Sequence, residues 1–182
     1  MEKERAIARP LDKFETELFV SERKTMNIRH ATQNDTESIT QIYSTCFPNE
    51  RNHKLWVASS LSAFPRAVYY VVKHQGVVAG YILWCVKNGF RDHTIAELEQ
   101  VAVAPEYSGV GLGRKLIVDS FELFKEHVQQ TGHKVGSVIV TTTEGNYAED
   151  LYKSTLHVSR AAILTGYASA NEVILYHNFI DA

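Results

Sequence analysis

Hydrophobic residues recur at two kinds of spacing along residues 26–182, and each kind predicts one type of element. Spacings of three and four residues predict amphipathic helices, while runs of β-branched and aromatic residues between turn signals predict strands. The helices are predicted at about 32–47, 52–63, 110–130 and 146–154, and the strands at about 26–29, 67–73, 77–86, 94–103, 135–141, 160–166 and 172–179. Their order, β-α-α-β-β-β-α-β-α-β-β, predicts an α/β (α+β mixed) fold in which helices cover both faces of a mixed sheet.

Local signals add detail to this prediction. Thr32 and Asp35 are spaced to cap the first helix, and the turn at 74–76 predicts a hairpin between the second and third strands. Gly80, inside the third strand, predicts a bulge or a close approach of another backbone.

Residues 1–25 have a different pattern. They are rich in charge, contain Pro10 and carry a weak helical stripe through Leu11, Phe14 and Leu18. We therefore interpret residues 1–25 as an N-terminal extension, helical or partly ordered, and residues 26–182 as one domain. A chain of 182 residues is long enough for one full core.

Composition excludes several classes of function. The 19 basic residues are scattered among 21 acidic ones, which argues against a nucleic-acid partner. The longest apolar run is far shorter than a membrane span, and the first residues do not form a secretory signal, so we expect no membrane partner and a cytoplasmic location. Cys46 and Cys85 cannot form a disulfide framework, and the eight histidines lack metal-binding spacing, so no metal site is expected.

The segment ELEQVAVAPEYSGVGLGRKL, residues 97–116, carries the most specific signal. It predicts a strand, a proline stop, a glycine-rich loop and the first turn of a long helix. The free amides at a helix N-terminus, together with the helix dipole, form a cradle suited to a phosphate or pyrophosphate. A glycine-rich turn with two solvated cations, Arg114 and Lys115, is the structural alternative. The spacing fits neither the Walker A loop nor the dinucleotide-binding fingerprint.

These residues resemble the GNAT superfamily of acyl-CoA N-acyltransferases. VAVAPEYSGVGLGR, residues 101–114, is similar to the family's strand, Pro and Arg/Gln-x-x-Gly-x-Gly/Ala motif, except that Ser108 replaces Arg or Gln. IRHATQND at 28–35 and NYAEDLYK at 146–153 resemble two further family signatures. The resemblance implies a GNAT fold, with a mostly antiparallel sheet of about seven strands that splays between strands 4 and 5.

The resemblance also implies acetyl-CoA as cosubstrate, held without a metal. In the family the pantetheine arm lies in the splay and the helix N-terminus holds the pyrophosphate. By that analogy, the cofactor-binding residues are Val101, Ala102, Val103, Ser108, Gly109, Val110, Gly111, Leu112, Gly113, Arg114 and Asn146.

Acyl transfer to an alkylamine needs a base, because the amine has a pKa of about 10 and is protonated at neutral pH. Glu97 and Glu99 alternate onto one strand face, from which either can reach the amine. Glu97 matches the family's base position, with Glu99 the second candidate, although a carboxylate there can equally solvate the strand end. Tyr152 resembles the family's general acid, which protonates the departing thiolate.

The sequence favours a primary amine on a small molecule as the acceptor, ahead of an amine on a protein. In the family the acceptor sits between the first two helices and the final hairpin, where Glu50 and Arg51 can contact a substrate or face water. A non-catalytic CoA-binding sensor or scaffold is the alternative function, and a homodimer is compatible with the sequence.

Overall fold

The computed structural model describes residues 27–167 and 170–180. The predicted extension of residues 1–25 therefore lies outside the described residues. Within them, every predicted helix and strand is present in the predicted order. The strands are β1 Asn27–His30, β2 Ala67–His74, β3 Val77–Val86, β4 His93–Val103, β5 Lys134–Thr143, β6 Ser159–Tyr167 and β7 Ala170–Asn178, and the helices are α1 Thr36–Cys46, α2 His53–Ser62, α3 Leu112–Gln130 and α4 Ala148–Leu156.

The strands form one seven-stranded sheet in the order β1-β2-β3-β4-β5-β7-β6. All neighbouring pairs are antiparallel except β4 and β5, which run parallel with α3 as their crossover. This confirms the predicted mixed, mostly antiparallel fold. The β2–β3 turn, Gln75-Gly76, has positive φ at both residues, as a two-residue hairpin loop requires.

Two hydrophobic layers cover the sheet, one on each face. On the first face, α3 and α4 pack over the sheet, and the Trp84 indole donates a buried hydrogen bond of 2.8 Å to the Ser120 hydroxyl of α3. On the second face, α1 and α2 cover a layer that includes Tyr69, Tyr81 and Leu83. The sheet therefore separates two chemically distinct sides, which we call the α3 face and the α1 face.

Gly80 confirms the predicted close approach. A Cβ at this position would lie 2.8 Å from the Ala102 carbonyl oxygen of β4 and 3.0 Å from Leu116 of α3. The adjacent residue of β3, Ala79, is the extra residue of a bulge opposite β2. Glycine is thus required where β3, β4 and α3 meet.

The predicted Thr32–Asp35 capping box forms, on a short 3-10 helix, Gln33–Asp35, that leads directly into α1. The Asp35 carboxylate accepts hydrogen bonds from the Thr32 amide, at 2.7 Å, and from both terminal nitrogens of Arg29, each at 2.8 Å. The Arg29 guanidinium lowers the pKa of Asp35 to about 2, so this carboxylate is charged throughout the physiological range. None of the helices in the described part of the chain has the length and apolar character needed to cross a membrane.

Candidate active site

The pairing between β4 and β5 ends midway along their length, and the two strands separate. Their parallel pairing begins at His93 with Lys134 and ends at Leu98 with Val140, although β4 continues to Val103. Beyond Leu98, the edge of β4 that faces β5 has no strand partner among the described residues, while its other edge stays paired with β3. This is the predicted splay, and it leaves backbone groups of Val101 to Val103 available to an extended ligand.

The loop between β4 and α3 places glycines where a side chain would strain the backbone. Gly109 and Gly111 have φ of +80° and +84°, the left-handed region that favours glycine. A Cβ at either position would meet no atom within 4 Å, so the space before the loop is open. The loop thus has the bend and clearance that the sequence predicts for an anion cradle.

The first turn of α3 supplies free donors to this cradle. The first backbone hydrogen bond of the helix runs from the Lys115 amide to the Gly111 carbonyl, at 3.1 Å. The amides of Leu112, Gly113 and Arg114 therefore have no partner within the helix. Such amides and the positive end of the helix dipole are suited to an anion, and the binding of a pyrophosphate by them stays a prediction.

Two side chains of this segment are engaged elsewhere. Both the Ser108 amide and the Ser108 hydroxyl donate to the Pro105 carbonyl, at 3.1 and 2.8 Å. The Arg114 guanidinium donates to the Ser154 hydroxyl of α4, at 2.8 Å. The donors available to an anion are consequently backbone amides more than side chains.

Tyr152 lies on α4, which packs beside the N-terminal turn of α3. Its side chain is buried in the α3-face core, and that burial raises the pKa of the phenol to about 12. Glu149 of the same helix receives two hydrogen bonds from Arg160 of β6, at 2.6 and 2.7 Å. The Asn146 side chain accepts from the Ala148 amide, the first of α4, at 2.9 Å. These contacts fix the helix that carries Tyr152.

A β-bulge sets the direction of the side chains near the splay. Leu83 pairs with Gln100, but the next residue of β3, Trp84, pairs with Leu98, so Glu99 is the extra residue of β4. Bulges re-aim side chains and are common beside functional sites. Glu99 follows directly after the last β4–β5 pair, at the apex of the splay.

Glu97 and Glu99 line one cleft on the α1 face, as predicted. We call it the acceptor cleft; it measures about 310 Å³, and its walls are Trp56, Ser59, Ser60, Ala63, Arg66, Ala67, Leu83, Cys85, Lys87, Glu97 and Glu99. The Lys87 ammonium lies 2.8 Å from the Glu97 carboxylate, and this contact raises the pKa of Lys87. Solvent reaches Glu99, yet partial burial among the walls, and then the charge of Glu97, raise the pKa of the Glu99 carboxyl.

A polar cluster next to this cleft was missed by sequence reasoning. The Tyr81 hydroxyl donates to the Gln100 amide oxygen at 2.8 Å, and the Tyr43 hydroxyl donates to the Glu50 carboxylate. Burial and the contact with Glu50 raise the pKa of Tyr43 to about 12. Strand alternation places Gln100 on the α3 face, and only the bulge at Glu99 turns it to the α1 face. No local feature of the sequence predicts that bulge.

A larger cleft, of about 620 Å³, lies elsewhere on the α1 face. Its lining includes Arg29, Lys73 and Glu106, but neither carboxylate of the acceptor cleft. We infer that the chemistry lies at the smaller cleft, because both candidate base residues line it and Glu99 lies at the apex of the splay. Within residues 27–167 and 170–180, no group of three His, Cys, Asp or Glu side chains is arranged to hold a metal ion.

Comparison with known structures identifies the same architecture in characterised acetyltransferases. The ribosomal-protein-S18-alanine N-acetyltransferase of Escherichia coli superposes with a TM-score of 0.66 at 22% identity, covering 84% of this chain and 93% of that one. NAA60 of Arabidopsis thaliana, solved with acetyl-CoA, gives 0.68 at 14% identity over 85% and 99%. Ard1 of Thermoplasma volcanium gives 0.67 at 19% identity over 85% and 97%. No curated protein matches the chain by sequence.

The fold, the splay and the cradle together define an acyl-CoA-binding transferase. The sequence model of the acetyltransferase (GNAT) family matches residues 36–157, about two thirds of the chain, and the chain therefore belongs to the GNAT acetyltransferase family. It is an acetyl-CoA-dependent N-acetyltransferase.

Proposed function

We propose that this enzyme acetylates a primary amine on a small molecule by direct attack on acetyl-CoA, with a carboxylate of β4 as base and Tyr152 as proton donor. One observation carries the proposal: two carboxylates line a cleft at the apex of the splay, on the face opposite Tyr152. In this arrangement the amine approaches from the α1 face, and the thioester extends into the splay from the cradle.

Cosubstrate binding is assigned to the backbone. We assign the pyrophosphate to the amides of Gly109 to Arg114 and the pantetheine arm to the free edge of Val101 to Val103. The open space before Gly109 and Gly111 supports this assignment, since the glycines there leave room for an anion. Asn146 lies just before α4, and we assign it to the pantetheine arm by the family resemblance.

The contacts of the two carboxylates favour Glu99 over Glu97 as the base. A base needs a free oxygen and a pKa near that of the group it deprotonates. The Glu97 carboxylate is held by Lys87 at 2.8 Å, whereas Glu99 has a raised pKa and lies at the apex itself. Glu97 matches the base position of the family. In this proposal its negative charge instead keeps the pKa of Glu99 high.

The chemistry follows from these positions. Glu99 takes a proton from the bound ammonium, and the free amine attacks the thioester carbonyl carbon. An ordinary glutamate is about six pKa units too acidic for the first step, roughly 8 kcal/mol uphill, so the raised pKa of Glu99 lowers that cost. The C–N bond forms, the C–S bond breaks, and the departing sulfur receives a proton.

Tyr152 is suited to be the proton donor for the departing sulfur. Its pKa of about 12 keeps the phenol protonated at every pH at which the enzyme can work. The phenol donates a hydrogen bond to the leaving sulfur and delivers its proton as the C–S bond breaks. The amine nitrogen loses two protons in the reaction: the first passes from Glu99 to solvent, and the second restores the phenol of Tyr152.

The size of the acceptor cleft supports a small acceptor. At about 310 Å³ it lies at the lower end of the range for small-molecule pockets. The Escherichia coli protein, which is named for a ribosomal-protein alanine, shows that this fold also appears in an enzyme of other acceptor specificity. From these comparisons we therefore take only the transfer to an amine, and the small size of the acceptor is inferred from the cleft.

A thiol-release assay with acetyl-CoA and a panel of primary amines tests the proposal. We expect Glu99→Gln to lower kcat by about 10²–10⁴, the range of general-base catalysis, and Tyr152→Phe to lower it by about 10². Acetyl-CoA affinity, measured by calorimetry, should change by less than about threefold, because neither residue belongs to the cradle. Glu122→Gln, a surface change on α3, is the matched control.

Two results would contradict the proposal. If coenzyme A binds but no amine is acetylated, the chain is a CoA-binding sensor or scaffold. If Glu99→Gln retains full kcat while Glu97→Gln loses it, the base is Glu97, as the resemblance alone implies.

A further inference from the structure

Four charged side chains line the acceptor cleft, two of each sign: Glu97, Glu99, Arg66 and Lys87. The described lining therefore carries no net charge. A polycationic acceptor is recognised by an excess of carboxylates, which concentrates cations in a cleft. A balanced cleft instead complements a molecule that carries both signs.

The two cations differ in their partners. Lys87 is bound to Glu97, but none of the ion pairs or side-chain hydrogen bonds between described residues includes the Arg66 guanidinium. The charge of Arg66 nevertheless acts on Glu99, since it partly offsets the rise in the pKa of that carboxyl. Within the described part of the chain, Arg66 is thus a cation without a carboxylate partner, within electrostatic reach of the proposed base.

We propose that the acceptor is an amino carboxylate, such as an α-amino acid, whose ammonium lies at Glu99 and whose carboxylate lies at Arg66. This inference rests on the proposed function, and it makes Arg66 a specificity-determining residue. A guanidinium binds a carboxylate through two parallel hydrogen bonds, so it fixes the orientation of the acceptor as well as contributing affinity.

The remaining walls indicate the side chain of the acceptor. The apolar residues of the lining are Trp56, Ala63, Ala67 and Leu83; Ala67 and Leu83 are buried, whereas Trp56 is 40% exposed. An aliphatic or aromatic side chain would cover this surface and gain from its burial. The matched probes are therefore phenylalanine with 2-phenylethylamine, and leucine with 3-methylbutylamine, because each pair differs only in the carboxylate.

The test measures kcat/KM for each pair in the native enzyme and in Arg66→Gln. We expect Arg66→Gln to lower kcat/KM by about tenfold or more for the amino acids, mainly through KM, and by less than about twofold for the decarboxylated amines. Arg66→Lys should retain part of the preference. Lys54→Gln, which removes an exposed cation from α2, is the matched control and should change neither value.

A binding measurement separates this inference from the proposed function. With coenzyme A present, N-acetylphenylalanine should bind the native enzyme about tenfold more tightly than its neutral amide, and Arg66→Gln should remove the difference. Equal turnover of both members of each pair, or an equal loss on both in Arg66→Gln, overturns the inference and leaves the proposed function intact. If N-acetylphenylalanine binds in an Arg66-dependent way but no amine is turned over, the inference about Arg66 is supported and the proposed function is contradicted.

Discussion

We infer that the two faces of the sheet recognise their substrates by different means. On the α3 face, the cradle and the splay offer backbone amides and strand edges from one continuous segment, residues 101–114. On the α1 face, the acceptor cleft is built from side chains of α2, β2, β3 and β4. The comparison teaches that cosubstrate binding depends on chain conformation, while acceptor chemistry depends on charges brought together by the fold.

Gly111→Val should have the largest effect of the variants that probe this comparison. Gly111 holds φ of +84°, and a β-branched residue there costs at least about 1–2 kcal/mol of strain or moves the loop. We expect the KM for acetyl-CoA to rise by about 10–100-fold while kcat changes by only a few fold. Steady-state kinetics with varied acetyl-CoA measure both.

Gly132→Val is the matched control for that variant. Gly132 has nearly the same φ, +86°, but lies just past the C-terminus of α3, at the opposite end of that helix from the cradle. It should reduce stability without changing the KM for acetyl-CoA. If both variants raise that KM equally, the effect is loss of folded protein, and the cradle assignment fails.

The same comparison explains how far the sequence could predict the molecule. The cradle was predictable because its signals are local: the proline stop, the glycines and the apolar stripe of α3 lie within about 30 residues. The order of strands and helices and the close approach at Gly80 were predictable for the same reason. Each depends on a residue type whose backbone preference acts on its immediate neighbours.

The acceptor side was only partly predictable. Alternation correctly placed Glu97 and Glu99 on one face, but it could not show that Lys87 binds Glu97 or that Arg66 shares their cleft. Those contacts join residues that are distant in sequence and depend on the register of β3 against β4. The bulge that turns Gln100 toward Tyr81 likewise depends on tertiary pairing, and no residue type in ELEQ marks it.

Changing the charge beside Glu99 should produce a smaller effect, visible in the pH profile. The base must be deprotonated, so activity falls as the pH is lowered through the pKa of Glu99. Removing the negative charge of Glu97 lowers this pKa, and removing the positive charge of Lys87 raises it. We therefore expect the acid limb of kcat/KM to move to lower pH in Glu97→Gln and to higher pH in Lys87→Met.

Several groups act on this carboxylate, so the opposite directions matter more than the size of either shift. The titratable or charged groups with electrostatic influence at Glu99 are Glu97, Lys87, Arg66, Tyr43, Tyr69 and Cys85. At a pH on the acid limb, each variant should change kcat/KM roughly several-fold relative to the native enzyme. Shifts of both variants in one direction would show that another group controls the limb.

Ser108→Arg, which restores the residue usual in the family, should have the smallest effect. The Ser108 amide and hydroxyl are both occupied by the Pro105 carbonyl, so the native cradle acts through the amides that follow. An arginine here adds an exposed ion pair with the pyrophosphate, worth about 0.2–1 kcal/mol, and should lower the Kd for acetyl-CoA by at most about fivefold. Because an exposed pair is screened, the gain should shrink as ionic strength rises, and calorimetry at low and high salt measures it.

Ser108→Ala tests whether the native hydroxyl contributes to binding of acetyl-CoA. A tenfold loss of affinity would mean that the hydroxyl itself contacts the cosubstrate, and the distinction between a backbone face and a side-chain face would no longer hold.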